Sequence, residues 1–100
     1  MVLACGLHVQ IDGADQLSVY RSSEWAERAF CSTCGTHIYY RLLPTGDHFV
    51  PVGLFQDRDD FAFKEQIFID RKPAFYDFAN QTLNLTEAEA FAKFSPAEEQ

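Results

Sequence analysis

Hydrophobic and polar residues alternate in short runs along most of the chain, and turn-forming residues separate these runs. Alternation with a period of two is typical of strands that bury one face. The pattern predicts strands at residues 5–12 (CGLHVQID), 16–22 (QLSVYRS), 36–43 (THIYYRLL) and 48–55 (HFVPVGLF). We therefore expect a mainly β fold built from antiparallel sheets.

The strongest local prediction is an antiparallel hairpin across residues 37–55. The segment PTGD, residues 44–47, combines Pro, Gly and Asp, which favour turns. It lies between two segments rich in β-branched and aromatic residues, which favour strands. Pro51 has no backbone N–H to donate, so the returning strand is expected to have an edge position or a bulge there.

The segments after this hairpin are more polar. Residues 65–70 (EQIFID) are predicted as a further short strand, and residues 74–79 (AFYDFA) as a strand or an extended aromatic segment. Phe75, Tyr76 and Phe78 in the second segment are numerous enough to close a pocket or a dimer interface, and we expect at least one of them in the core.

A helix is predicted at the end of the chain, over residues 86–94. Thr86 followed by Glu89 fits a capping box, in which each residue bonds the other's backbone N–H. The run EAEAFAKF contains good helix formers, and Ser95 with Pro96 would end the helix. The fold class expected overall is mainly β with one short C-terminal α-helix.

Composition is that of one ordinary domain. The chain has 100 residues, of which 47% are hydrophobic, so we expect a single domain over residues 1–100 with its own core. The net charge of -7 argues against nucleic acid or an anionic membrane as a partner, because both attract basic surfaces. Acidity that keeps the protein soluble is the preferred interpretation of this charge.

The first residues, MVLACGLHVQIDG, are not expected to form a targeting segment. They contain no basic region, and Gly6 and His8 interrupt the apolar run, so neither a signal peptide nor a transmembrane helix is predicted. We therefore expect a cytoplasmic protein.

Three cysteines, an odd number, do not make a disulfide framework. Metal binding, redox chemistry and plain burial remain as roles for them.

Cys31 and Cys34 have the C-x-x-C spacing with which one turn offers two thiolates to a metal ion. Gly35 follows directly and tolerates the positive φ that such a turn needs. A thioredoxin-like redox pair uses the same spacing but opens a helix, whereas the run THIYY that follows here favours a strand. Zinc binding is thus preferred over redox chemistry and over two buried thiols without a role.

A tetrahedral zinc site needs four ligands, and the chain offers no clear second pair. Cys5 and His8 have an odd separation, so on a regular strand they would point to opposite faces unless the strand bulged at Gly6. His37 and His48 are explained as well by surface or hydrogen-bonding roles. The residues alone therefore predict half of a zinc site.

Two arginines in this region carry alternative interpretations. Arg28 and Arg41 are expected to form salt bridges with the many acidic residues, and the alternative is that they bind a carboxylate of a ligand.

The stretch YRSSEWAERAFCSTCGTHIYYR, residues 20–41, resembles the signature of the glutathione-dependent formaldehyde-activating enzyme (GFA-like) family, S-S-x-x-x-x-R-x-F-C-x-x-C-G-[ST]-x-[IL]. The segment QIFIDRKPAFYDFAN, residues 66–80, is similar to the closing segment of that family. The positions that match the signature are Ser22, Ser23, Arg28, Phe30, Cys31, Cys34, Gly35, Thr36 and Ile38.

This resemblance implies a β-tent-like domain and a carbon-sulfur lyase that acts on adducts of glutathione with aldehydes. Family members hold a structural zinc between an early C-x-C and the later C-x-x-C, and a catalytic zinc on a C-x-C-x-x-C. Only the C-x-x-C is present here, so the resemblance implies that Cys31 and Cys34 are the retained half of the structural site. It also implies a domain truncated at its N-terminus, in which the catalytic ligands are absent.

Two functions follow as hypotheses. The first is a GFA-like domain that is not catalytic as an isolated chain, with its zinc site completed by a partner chain or by missing residues. The alternative is a non-catalytic homodimeric domain that binds a protein or a small ligand, such as a thiol or an aldehyde adduct. A homodimer is expected in either case, because uncovered sheet edges seek a partner.

Overall fold

A computed structural model describes residues 1–94 of the chain. The chain forms two compact units, Met1–Asp59 and Asp60–Gln100, of which the second is described as far as Phe94. Within residues 1–94, no helix is both long enough and apolar enough to cross a membrane.

The first unit is built around one open, five-stranded antiparallel sheet. The strand order across the sheet is β1-β5-β4-β3-β2, so sequence neighbours from β2 to β5 pair directly and β1 joins the far side of β5. The mainly β fold class is confirmed. The strands are β1 (Val2–Gly6), β2 (Leu17–Tyr20), β3 (Ala26–Cys31), β4 (His37–Leu42) and β5 (His48–Pro51).

The predicted hairpin is confirmed. In it, β4 pairs antiparallel with β5, with Tyr40 opposite Phe49 and Arg41 opposite His48. The connecting turn is closed by the N–H of Leu42, which donates to the carbonyl of Asp47 at 2.9 Å. Pro51 is the last residue of β5, which is an inner strand between β1 and β4 rather than an edge.

The first strand lies earlier than its pattern predicts, at Val2–Gly6 instead of residues 5–12. Ala4 pairs with Phe49 and Gly6 with His48, so Cys5 is an extra residue in a bulge. Gly6 then adopts a left-handed φ of 76°, which turns the backbone away from the strand direction. The alternation after Gly6 therefore belongs to a loop.

The sheet has a thin core. Ala26 and Ala29 on β3 are fully buried, but no large side chain among residues 1–94 is. The outer strands β1 and β2 expose apolar side chains, and Val2, Val19 and Tyr20 each keep more than half of their surface accessible. Small residues thus occupy the tightest positions of the sheet, and its edges remain apolar.

The second unit contains little regular structure. Its strands β6 (Glu65–Gln66) and β7 (Leu83–Asn84) form a short parallel pair. The strand predicted over residues 65–70 ends after Gln66, because Phe68 adopts a left-handed φ of 58° and Ile69–Arg71 forms a turn of 3-10 helix. The predicted strand is therefore only two residues long.

The aromatic segment at residues 74–79 is an extended loop rather than a strand. The expectation of a core residue here is wrong, because Phe75, Tyr76 and Phe78 are all exposed. Lys72 anchors the loop: its Nζ donates to the carbonyl of Tyr76 at 2.6 Å and lies 2.6 Å from Oδ1 of Asp77. A single ammonium group thus holds the backbone that carries the rings.

The C-terminal helix is confirmed as α1 (Glu87–Lys93), with Thr86 as its N-cap. The backbone N–H of Glu89 donates to Oγ1 of Thr86 at 3.2 Å, and the N–H of Thr86 donates to Oε1 of Glu89 at 2.8 Å. Both bonds of the predicted capping box are therefore present. The predicted stop at Ser95 and Pro96 lies outside the described residues.

Replacing Thr86 with alanine removes the hydroxyl that accepts the hydrogen bond from the backbone N–H of Glu89. It also weakens the capping box in which the Glu89 side chain accepts from the N–H of residue 86. We expect the free energy of unfolding of the second unit to fall by about 1 kcal/mol. The matched control is Thr86→Ser, which keeps a hydroxyl at the cap and should retain most of this stability. Helical circular dichroism during urea unfolding measures both variants, and equal losses for the two would contradict a capping role.

Candidate functional site

The cysteine turn joins β3 to β4. Cys31 is the last residue of β3, Cys34 lies in the turn, and β4 begins at His37. The turn is closed by the N–H of Gly35, which donates to the carbonyl of Cys31 at 2.8 Å, and by the N–H of Cys31, which donates to the carbonyl of Thr36 at 2.9 Å. A strand and not a helix follows the second cysteine, as predicted.

Gly35 has the conformation that the turn requires. Its φ is 80°, in the left-handed region, and a Cβ built on it would meet nothing within 4 Å. The constraint at this position is therefore the backbone dihedral and not space.

Polar contacts with β2 hold the turn in place. The N–H of Ser32 donates to the carbonyl of Gln16 at 2.9 Å, and Oγ of Ser32 lies 2.7 Å from Oγ of Ser18. Ser18 is on β2, which pairs with β3, and Gln16 directly precedes β2, so Ser32 attaches the turn to this edge of the sheet.

The two thiols of the turn have different surroundings. Cys34 is exposed and Cys31 is half-buried. The pKa of Cys34 is lowered first by a hydrogen bond from the Thr36 side chain, whose Oγ1 lies 3.1 Å from Sγ, and then by the Thr36 backbone and the Cys31 thiol. These groups favour the thiolate of Cys34, which is the form of cysteine that binds metals and acts as a nucleophile.

The other predicted ligands do not join this pair. Cys5 lies in the bulge of β1, where its thiol donates to the carbonyl of Leu3 at 3.6 Å, and β5 and β4 separate β1 from β3. His48 Nδ1 donates to the carbonyl of Gly6 at 2.9 Å, and the His48 ring meets the Tyr39 ring edge-on at 4.9 Å. His8 is exposed in the loop after β1.

His37 is the remaining candidate. It begins β4 beside the turn, and its pKa is lowered by burial and by the charge of Arg28, so its neutral form is favoured. Within the part of the chain that the structure describes, no group of three or more His, Cys, Asp and Glu side chains could hold a metal. The structure therefore brings Cys31 and Cys34 together on one turn and adds no further ligand from residues 1–94.

Arg28 and Arg41 lie on opposite faces of the sheet and have different contacts. Arg41 Nη1 lies 3.5 Å from Oε2 of Glu27, its neighbour across the β3–β4 pair, so the salt-bridge interpretation holds for Arg41. Arg28 instead places its guanidinium over the ring of Tyr40, 5.0 Å from the centroid. The alternation of side chains assigns Arg28 to one face, and Arg41 to the other.

Comparison with the curated proteins gives a significant match to a relative. The chain is similar to a protein of Schizosaccharomyces pombe that is named an uncharacterized lyase, with 34% identity over 87 residues. The match covers 86% of this chain but only 64% of that protein, so the chain spans less than two thirds of the length of this relative. No protein-family model matches the chain, and no solved structure matches it at a significant level.

The lowered pKa of Cys34 predicts how the metal-free protein reacts with iodoacetamide. Its alkylation rate should reach half its maximum at a lower pH than an ordinary thiol requires, because the Thr36 hydroxyl stabilises the thiolate. Thr36→Val removes that donor and should move the midpoint to higher pH, whereas Thr36→Ser should not. Mass spectrometry of the Cys34 peptide across a pH series follows the reaction, and an unmoved midpoint in Thr36→Val would contradict this role.

Proposed function

We propose that this chain is a GFA-like domain, related to zinc-dependent carbon-sulfur lyases, in which Cys31 and Cys34 form half of a structural zinc site. The observation that carries the proposal is the cysteine turn, which presents two thiols between β3 and β4 and attaches to β2. The similarity to an uncharacterized lyase, over 86% of this chain, supports the lyase relationship. The signature residues around the turn support the choice of family.

The donor set of the turn fits zinc. Thiolates are preferred zinc ligands, and a structural site takes four ligands in a tetrahedral arrangement. Hydrogen bonding at Cys34 lowers its pKa, which reduces the cost of losing the thiol proton on metal binding. The remaining two ligands would come from a second copy of the chain or from residues outside it. When bound, zinc would cross-link these segments and stabilise the turn.

The number of ligands that the chain supplies also argues against catalysis by the isolated chain. A zinc enzyme of this type needs three protein ligands and an open position, where the metal polarises a carbonyl or holds a thiolate. Residues 1–94 contain no group of three potential ligands. We therefore propose that any lyase activity needs ligands from outside this chain.

A direct assay of the family reaction tests this proposal. Glutathione and formaldehyde are mixed with the zinc-supplemented chain, and exchange spectroscopy by NMR measures the rate at which their adduct forms and breaks down. We expect the rate to equal that of buffer with the same zinc. Acceleration proportional to protein concentration, retained in Cys5→Ser and lost in Cys34→Ser, would overturn the proposal of a non-catalytic chain.

A homodimeric binding domain is the second candidate, and the sheet edges favour it. The outer strands β1 and β2 each have a neighbour on one side only, so their other backbone groups are available for pairing. Exposed apolar side chains lie on the same strands, including Val2, Val19 and Tyr20. We propose a second copy of the chain as the occupant, because two copies would also supply four cysteines from two identical turns. The ligand of such a dimer would be a small thiol or aldehyde adduct.

A further inference from the structure

One face of the five-stranded sheet carries a row of side chains centred on Arg28, and this row does not include the cysteines of the turn. The strand register places Tyr20, Arg28, Tyr40 and Phe49 directly opposite one another across β2, β3, β4 and β5. The ring of Tyr40 contacts the ring of Phe49, with centroids 6.2 Å apart, and lies beneath the Arg28 guanidinium. We call these four residues the arginine row.

Arg28 differs from the other arginines of this sheet in its contacts. Arg41 has Glu27 as an ion-pair partner, and Arg21 donates to the carbonyls of Ser23 and Glu24. The side chain of Arg28 has no hydrogen bond or ion pair within residues 1–94, although the chain has 15 acidic residues and 8 basic ones. The N–H donors of the Arg28 guanidinium are therefore not occupied by any group of residues 1–94 and are available to a ligand.

The neighbouring positions on this face explain why no carboxylate reaches Arg28. Alternation along the strands places Ser18 and Tyr20 of β2, Ala26 and Phe30 of β3, Leu42 of β4 and Ala4 of β1 on the same face. None of these residues is acidic, and Glu27 lies on the opposite face with Arg41. The positive charge of Arg28 is therefore locally uncompensated on the sheet.

The placement of the guanidinium also leaves its donors available. A guanidinium above an aromatic ring uses its face for the ring, whereas its N–H groups point outward in its own plane and can hold both oxygens of a carboxylate. Arg28 and Tyr20 are exposed, and Tyr20 keeps 64% of its surface accessible. A ligand can therefore reach the N–H groups and rest on the ring of Tyr20.

We propose that the arginine row binds a small carboxylate whose adjoining part is apolar and flat, with Arg28 holding the carboxylate and the tyrosines contacting the apolar part. The planar fork of an arginine can hold a carboxylate or a phosphate, but only a ligand with an apolar part would also use the ring of Tyr20, which inorganic phosphate cannot do. The proposal is independent of zinc and of lyase activity, because neither cysteine belongs to the row.

NMR titration of the full chain tests this site with three probes, which are 3-phenylpropionate, 3-phenylpropionamide and inorganic phosphate. We expect the carboxylate to bind about fivefold more tightly than its amide, with shift changes at Tyr20, Tyr40 and the Arg28 Nε–H. Arg28→Gln should remove this preference, and Arg41→Gln, on the opposite face, should keep it. Added salt should weaken the binding of the carboxylate and leave the binding of the amide unchanged.

Three outcomes would overturn the proposal. Equal affinities for the acid and the amide in the natural chain would show that the charge of Arg28 contributes nothing, and this comparison needs no variant to fold. Tighter binding of phosphate than of 3-phenylpropionate would show that an apolar part of the ligand does not contribute to the affinity. An unchanged preference in Arg28→Gln would place the carboxylate at another residue.

Discussion

Replacing Gly35 with valine is expected to destabilise the first unit and to weaken the zinc binding that we propose for the cysteine turn. The φ of 80° at Gly35 is one that a β-branched residue adopts only at a cost of about 1–3 kcal/mol. The turn would relieve this strain by moving, and the bonds that close it involve the backbone of Cys31. Urea unfolding and a competition titration with a zinc-binding dye measure the two effects.

A second glycine provides the matched control. Gly53 follows β5, does not have a positive φ, and a Cβ built on it would meet nothing within 4 Å. Gly53→Val should therefore change the free energy of unfolding by no more than about 0.5 kcal/mol and leave zinc binding unchanged. If the two variants lost equal stability, the dihedral of Gly35 would not be the cause.

Enlarging Ala29 to leucine should produce the other large effect. Ala29 is fully buried in β3, between Val19 of β2 and Tyr39 of β4. Three additional carbons at this position would force the neighbouring strands or side chains apart, at a cost of about 1–3 kcal/mol. Thermal and urea unfolding measure the loss.

The same substitution at Ala4 is the matched control. Ala4 lies in β1 of the same sheet but is exposed, so Ala4→Leu should change the free energy of unfolding by no more than about 0.5 kcal/mol. If Ala4→Leu lowered the free energy of unfolding as much as Ala29→Leu, burial would not be the cause of the destabilisation.

The elements with explicit local signals could be predicted from the sequence. The hairpin of β4 and β5 follows from two β-rich segments around PTGD, and α1 follows from the capping box of Thr86 and Glu89. Both are short-range features in which the residues that determine the structure are adjacent in the chain. The mainly β class follows from the same alternation.

Elements that depend on single backbone dihedrals could not be predicted. Gly6 ends β1 with a positive φ, although the alternation continues past it to Ile11. Phe68 also adopts a left-handed φ, which its residue type disfavours, so nothing in EQIFID indicates that the strand ends after Gln66. Hydrophobic periodicity reports which residues alternate, but it does not show where a bulge or turn interrupts pairing.

The candidate site could be predicted only in part. The spacing of Cys31 and Cys34 with Gly35 identifies the turn, because these residues determine its local geometry. The different roles of Arg28 and Arg41 need the register of β3 against β4, which assigns Glu27 to Arg41 and Tyr40 to Arg28. Arg28 and Arg41 lie on different strands joined by a turn, so their spacing in the sequence does not indicate which face each one occupies.

We propose above all that Cys31 and Cys34 form half of a zinc site, and a second copy of the chain can complete it in the purified protein. Native mass spectrometry of the purified chain, with stoichiometric zinc and then with a chelator, reports subunit number and metal content together. We predict a dimer that carries one zinc ion and loses it on chelation, and a species without zinc for Cys34→Ser. A natural chain that takes up no zinc, or a Cys31→Ser/Cys34→Ser double variant that still retains it, would contradict the claim.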